Sequence, residues 1–316
     1  MCYGDKKNDI YNLRRGGVFI LNILINRKEY QYISNSIKNE EFRESYFNLA
    51  HKVFGVNFRP WYQSGFCSES FIPYTLYTNG IAVSSVGVVL NNFKWGGKLK
   101  RYAQISTVMT ESSHRMQGLG RWLLETVIEE WKKKCDAVYL YANDSVVDFY
   151  PMFGFMPVDE YRYSLSVTKR NGDFRKLDLS IQNDVDLLVK KHKESNRLSL
   201  LSMQDDVEIM MFHCITFLRD YIYYIEEYDA IVIAKQDGHE IFCYDIYSDG
   251  LNSISSMLST IASTDSCTAM LGFTPKEASA YTVEKANEGN TTLFVLNGME
   301  NILTENKITL PFLSRA

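Results

Sequence analysis

Two glycines two positions apart, in Arg115-Met116-Gln117-Gly118-Leu119-Gly120, separate an apolar strand pattern from a long helical one, and this junction constrains the fold more than any other feature. Upstream, Tyr102 to Met109 reads as a strand. Downstream, Gly118 to Lys134 puts Leu119, Trp122, Leu123, Val127 and Trp131 on one helix face, with Glu129 and Lys133 paired on the other. Ala137 to Ala142 then reads as a short apolar strand of the buried kind. Strand, long helix and strand at this spacing form a right-handed crossover between two parallel strands. A helix start offers unpaired N–H groups and the positive end of its dipole, which suits a pyrophosphate. Gly118 and Gly120 leave the backbone open to phosphate oxygens, and Arg115 either adds a cationic contact or points to solvent. Other phosphate loops fit worse. The dinucleotide fingerprint needs a third glycine where Leu123 stands, and a P-loop needs Gly-Lys-Ser/Thr where Gly120-Arg121-Trp122 stands.

Around this unit the chain reads as a mixed α/β protein. Glu40 to Phe54 has helical spacing and ends at Gly55. Phe58 to Phe66 is aromatic and turn-rich. Phe71 to Thr78, Ile81 to Leu90 and Tyr102 to Met109 read as three successive antiparallel strands, turning at Asn79-Gly80 and Gly96-Gly97-Lys98. Asn143 to Met152 reads as a helix capped by Asn143, with the last strands of this half beginning at Gly154. The polar turn Lys169 to Asp173 is the best boundary, giving an extension over 1–26, either disordered or an edge strand, and domains over 27–168 and 169–316. The second half repeats the style. Helices are expected near Val185–Lys193, Val207–Leu218 and Ile254–Ala262, with a meander over Tyr221–Ile225, Ala230–Lys235 and Glu240–Ile246. Two late strands follow, and Lys307 to Leu313 reads as the final one. Met152-Phe153-Gly154-Phe155-Met156-Pro157 is echoed by Met270-Leu271-Gly272-Phe273-Thr274-Pro275, and similar placement after a helix suggests a duplication.

Composition excludes several classes. Hydrophobic residues at 46% and aromatic residues at 14% argue against disorder. With 34 basic and 38 acidic residues and no long basic run, nucleic acid is not the expected partner. The six cysteines form no C-x-x-C pair and the five histidines no H-E-x-x-H motif, so no metal site is expected. Scattered thiols fit a reducing, cytoplasmic setting. The apolar run Val18 to Ile25 is too short to span a bilayer, so no membrane association is expected.

The same junction resembles the acyl-CoA motif of the GNAT acetyltransferase superfamily, Gln/Arg-x-x-Gly-x-Gly/Ala, at Arg115, Gly118 and Gly120. Val108-Met109-Thr110 stands where that family's fourth strand pairs with the pantetheine arm. Asn143 to Phe155 resembles its Asn…Phe-Tyr-x-x-x-Gly-Phe segment at Phe149, Tyr150, Gly154 and Phe155. The resemblance covers about Glu40 to Val167. It implies a GNAT fold with splayed central strands and acetyl-CoA as co-substrate. It also implies a cofactor site over Val108, Met109, Thr110, Arg115, Met116, Gln117, Gly118, Leu119, Gly120 and Arg121, together with Asn143. The reaction it implies is acetyl transfer to a primary amine by direct attack on the thioester.

Tyr150 matches the family's general acid. Many members place a glutamate base on the fourth strand, but the cleft-facing candidates here are Tyr102, Gln104 and Ser106. The architecture resembles tandem-GNAT acetyltransferases in which a C-terminal carboxylate reaches the site, which makes Ala316 the second catalytic expectation. The second half contains no Gly-x-Gly and is read as a degenerate GNAT-like domain walling the acceptor pocket. Phe58, Trp61, Tyr62, Phe66 and Phe71 either line that pocket or pack the core. The acceptor is a small-molecule or peptide amine. Alternatives are a transferase with another acyl or aminoacyl donor, and a non-catalytic acyl-CoA sensor. Oligomeric state is not legible.

Overall fold

The computed structural model describes residues 12–15, 18–67, 69–286 and 289–316. Residues 1–11 of the expected extension, with Cys2, lie outside them. In chain order the first elements are β1 (Asn12–Arg15), β2 (Val18–Ile25), β3 (Lys28–Ser34), α1 (Glu40–Phe54), α2 (Arg59–Gln63), β4 (Phe71–Thr78) and β5 (Ile81–Trp95). Then come β6 (Lys98–Thr110), α3 (Leu119–Trp131), β7 (Ala137–Asn143), β8 (Phe155–Val158), β9 (Tyr161–Thr168), β10 (Arg175–Lys176) and α4 (Gln182–Lys193). The rest are β11 (Ser202–Met203), α5 (Val207–Thr216), β12 (Ile222–Ile225), β13 (Ala230–Asp237), β14 (Glu240–Tyr247), α6 (Ile254–Ile261), β15 (Ser266–Leu271), β16 (Thr282–Lys285) and β17 (Thr291–Leu296). The chain is thus a mixed α/β protein. No helix among the described residues is long and apolar enough to cross a membrane.

Two compact units divide these elements. The first holds Met1–Arg59, Glu69–Val89 and Ile105–Lys134; the second holds Pro60–Ser68, Leu90–Gln104 and Cys135–Ala316. In the first unit the strands run in the order β1-β2-β3-β4-β5-β6, with every pair from β1 to β5 antiparallel. Asn79 and Gly80 turn the β4–β5 hairpin with both φ positive, at 51° and 75°, the mirror-image turn that matches strand twist. Asn39 caps α1 by accepting from the Glu41 N–H at 2.9 Å, and Gly55 ends the helix at φ 72°. The buried face of α1 carries Tyr46 and Phe47 onto Phe58 and Phe71. In α3, Leu119, Leu123, Leu124, Val127, Ile128 and Trp131 are buried. The Trp131 indole N–H also donates to the Tyr74 hydroxyl at 3.0 Å, satisfying a polar group that burial would otherwise leave unpaired.

In the second unit one sheet runs β5-β6-β7-β17-β8, and a second runs β10-β12-β13-β14-β15-β9-β16. Their last strands are reciprocally exchanged. Only Asp159 and Glu160 separate β8 from β9, yet β9 lies between β15 and β16. In return β17 lies between β7 and β8. The residue pair Thr168/Lys169 therefore falls at the end of a strand of the second sheet. Tyr163 and Val167 of β9 join that sheet's core with Ile254, Met257 and Leu258 of α6.

Four local expectations are corrected. Asn143 to Met152 is not a helix but a pair of 3-10 turns, Asp144–Val146 and Tyr150–Phe153, and the Asn143 side chain caps nothing. Pro151 has no N–H to donate to the Val147 carbonyl, so one continuous α-helix cannot run across it, and it stands instead in the first turn of the second 3-10 piece. Lys307 to Leu313 is not a strand; Pro311 lacks a ladder donor, and a 3-10 turn follows at Phe312–Ser314. Strand β5 runs on past Leu90 to Trp95, with Asn91 and Phe93 still buried and Lys94 exposed. The two hexapeptide echoes are placed differently: Phe155 opens β8 after a 3-10 turn, whereas Met270 and Leu271 end β15.

His192 on α4 is 1% exposed and meets the Tyr247 ring edge-on. Neither ring nitrogen has a hydrogen-bond partner among the described residues. Burial pushes its imidazole down to about 4, whereas an unfolded histidine ionises near 6.5. The folded state excludes a proton that the unfolded state takes up, so stability present above about pH 6.5 is lost as pH falls toward 4. His192→Phe keeps the ring packing and removes the titration. Thermal melts should show this variant gaining more over the parent at pH 5 than at pH 8. Equal differences at both pH values would refute the assignment.

Candidate active site

The residues expected to meet the cofactor form a hydrogen-bonded turn in the first unit. Glu111 ends β6 and caps a 3-10 turn over Ser112–His114 by accepting from the Ser113 N–H at 2.7 Å. The same carboxylate takes Lys52 at 2.7 Å and the Ser112 hydroxyl at 2.9 Å, which holds it well below the usual carboxylate range. Met116 and Gly118 then adopt left-handed backbone at φ 58° and 78°. The Gln117 side chain donates to the Ser113 carbonyl at 3.1 Å, locking the turn from inside. Arg115 Nε reaches back to the Thr110 carbonyl at 3.3 Å. The first turn of α3 carries no acidic residue, so the positive end of its dipole is uncompensated. A Cβ on Gly120 would lie 3.5 Å from the Thr110 hydroxyl, ordinary contact distance.

The expected residues therefore occupy distinct positions. Met109 and Leu119 are buried and act as anchors. Met116 is fully exposed. Val108 and Thr110 are half-buried on the strand, where the Ser84 hydroxyl already donates to the Met109 carbonyl at 3.1 Å. Arg121 lies 3.6 Å from Glu125. Sequence reasoning missed the irregularity just before them. Thr107 interrupts β6 with φ 43°, and opposite it a Cβ on Gly87 would lie 2.3 Å from the Thr107 hydroxyl. Such a break redirects the strand's later residues. Gly87 inside a β-branched strand was the available signal.

Tyr150 lies in the second unit, 7% exposed, ringed by Phe149, Phe155 and Phe294. Burial pushes its phenol up to about 12. The hydroxyl therefore keeps its proton at neutral pH, as an acid must. Asn143 ends β7 opposite Thr291, with its side chain exposed. The aromatic stretch is core: Phe58 stacks with Phe71, and Trp61 packs on Phe212 while donating to the Glu208 carbonyl at 3.0 Å.

A buried polar network in the second unit surrounds Gln104. Its amide donates to the Ala316 main-chain oxygen at 3.0 Å and accepts from the Ala316 N–H at 3.2 Å. Tyr139 donates to the same Gln104 oxygen at 3.4 Å. Asn91 donates to the Tyr139 hydroxyl at 2.8 Å and to the Ser314 carbonyl at 3.0 Å. His213 Nε2 donates to the Arg315 carbonyl at 2.6 Å, and burial pushes that ring down to about 4, keeping it neutral. Glu160 accepts from Thr309 at 2.8 Å, from the Leu310 N–H at 2.9 Å and from Tyr141 at 3.1 Å, with Arg315 at 3.3 Å. Of these groups only Gln104 and Ala316 were legible, because the others come from scattered elements. Among the described residues no cluster of His, Cys, Asp or Glu is placed to hold a metal ion.

With this geometry in view, residues 35–155 match the model of the acetyltransferase (GNAT) family. Among solved structures, the chain is similar to a conserved protein of Enterococcus faecalis V583 described as a probable N-acyltransferase. The TM-score is 0.55 at 15% identity, covering 85% of this chain and 72% of that one. A GCN5-related N-acetyltransferase from Kribbella flavida gives a TM-score of 0.50 at 16% identity, over 84% and 71%. Eis1 from Mycobacterium abscessus gives 0.51 at 12%, over 83% and 72%. At such identities the likeness is one of fold. No curated protein matches the sequence. Residues 35–155 are thus similar to the acetyltransferase (GNAT) family, and the fold of the chain is like that of these N-acyltransferases.

Glu160 is the most heavily used buried carboxylate of this network. Removing it breaks the buried Glu160–Arg315 pair, and losing one partner of such a pair costs about 3–5 kcal/mol. Glu160→Ala should lower the denaturation midpoint by that order, and Glu160→Gln, which keeps acceptors for Thr309 and Leu310, by clearly less. Equal midpoints for both variants and the parent in urea would contradict this.

Proposed function

We propose that the chain transfers the acetyl group of acetyl-CoA to a primary amine of a small molecule or peptide, in the cytoplasm. The observation carrying this reading is the α3 start, where Gly118 and Gly120 flank amides with no acid in the first turn. Val108, Met109 and Thr110 bind the pantetheine arm. Arg115 to Arg121 bind the pyrophosphate, and Asn143 assists. The amine nitrogen attacks the thioester carbonyl, a C–N bond forms, the C–S bond breaks and the leaving thiolate takes its proton from Tyr150. A tyrosine hydroxyl carries, at neutral pH, the proton this role needs. For Ala316, the proposal is conditional on a free carboxylate there: held by Gln104, it would accept the acceptor's proton, and a short C-terminal extension tests it. We further propose two GNAT-like domains, over 27–168 and 169–316, that exchange their last strands.

Two variants test the reading. Gly120→Asp sets a side chain and a negative charge among the amides, and calorimetry should show acetyl-CoA affinity falling at least about tenfold, a loss of roughly 1.4 kcal/mol. Unchanged affinity in the folded variant would sink the phosphate site. Tyr150→Phe should lower kcat by about 10²–10⁴-fold, with the KM for acetyl-CoA near the parent's. The assay is CoA-thiol release with the amine found by screening an amine panel. Parent-like turnover would remove Tyr150 from the chemistry.

A further inference from the structure

Beyond the motif itself, the hairpin turn between β2 and β3 reaches the same loop. Its two central residues, Asn26 and Arg27, both have positive φ, at 49° and 65°. The Asn26 amide donates to the Gln117 carbonyl at 2.9 Å and lies 3.4 Å from where a Cβ on Gly118 would stand. Lys28 Nζ donates to Gln117 Oε1 at 3.0 Å. The turn thus holds the residue just before the helix start and brings the Lys28 ammonium to it, with Arg27 next to Lys28 in the turn.

These cations are not neutralised. Lys28 bonds only to Gln117 and, like Arg27, forms no ion pair with any described residue; both are exposed. Glu111 is already bound by Lys52, Ser112 and Ser113. The first turn of α3 adds no acid.

We propose that the β2–β3 turn is part of the cofactor site, with Lys28 and Arg27 taking the 3′-phosphate at the nucleotide end of acyl-CoA. The inference rests on the reading that acyl-CoA occupies the Gly118–Gly120 loop. The α3 amides serve the pyrophosphate along the helix axis. A phosphate monoester carries about −1.5 to −2 at neutral pH and has no amides left to meet it, so it calls for cations. Lys28 stands exposed beside Gln117, with the exposed Arg27 adjacent to it in the turn, where a phosphate at the rim would be met.

The test uses the full chain with Arg27→Gly, Lys28→Gln and the double variant. Arg27→Gly suits the positive φ, so the turn is kept. Calorimetry compares CoA with 3′-dephospho-CoA, and kinetics compare acetyl-CoA with S-acetylpantetheine. The parent should bind CoA about tenfold tighter than dephospho-CoA, the scale of a hydrogen bond to a charged group. The double variant should bind the two alike, and its use of S-acetylpantetheine should match the parent's. If the double variant still discriminates, the inference is wrong. It is equally overturned if the variant loses the same factor with CoA, dephospho-CoA and S-acetylpantetheine, which would mark the turn as a brace. A parent that binds neither form of CoA would overturn the cofactor reading itself, and this inference with it.

Discussion

The amides at the start of α3 have no carbonyl to meet within the helix, and the first unit is arranged around leaving them so. A serine or aspartate at the cap would satisfy them with its side chain, and Gly118 cannot. Glycine there also accepts φ 78° at no steric cost. The carboxylate that precedes the helix, Glu111, is held away from those amides by Lys52 and two serines. The result is a fixed positive end. Its geometry is maintained by hydrogen bonds to Gln117 from Asn26 and Lys28, far away in sequence.

The second unit depends on a different constraint. A two-residue connection sends β8 and β9 into different sheets, and β17 returns to lie between β7 and β8. Each sheet is completed by a strand whose sequence neighbours lie in the other. Loss of one sheet's ladder therefore exposes the other's, and the pair should unfold as one cooperative body. Glu160 sits in that connection, where its carboxylate satisfies a hydroxyl, a backbone amide and a guanidinium of Thr309, Leu310 and Arg315. The crossing point of the chain and the anchoring of its last described residues are the same few atoms.

Local periodicity made much of this legible. The α1 and α3 faces, the Asn79-Gly80 and Gly96-Gly97 turns and the short buried β7 all follow from spacing and turn chemistry, because those signals lie within one element. The loop Arg115 to Gly120 was legible because its chemistry is backbone chemistry, and glycines mark it. What escaped is non-local. The exchange of β9 and β17 leaves no trace in either strand's own pattern, since each is a β-strand in any sheet. The network of Asn91, Tyr139, His213 and Glu160 draws one residue from each of several elements. Pro151 outweighs the favourable cap at Asn143, because its missing N–H breaks the ladder of one continuous helix.

Gln104 shows how partners choose a residue type. It stands on the strand where a carboxylate base is usual in this superfamily, and it is fully buried. Its two polar atoms are both used by one residue: Nε2 donates to the Ala316 oxygen and Oε1 accepts from the Ala316 N–H. A glutamate could accept from the N–H, but it would set a negative charge against the Ala316 oxygen and leave that oxygen without its donor. Burying such a charge unpaired costs more than the hydrogen bond it replaces. The amide is therefore the side chain that fits a backbone segment offering a donor and an acceptor side by side. At this position the strand holds a tether rather than a base.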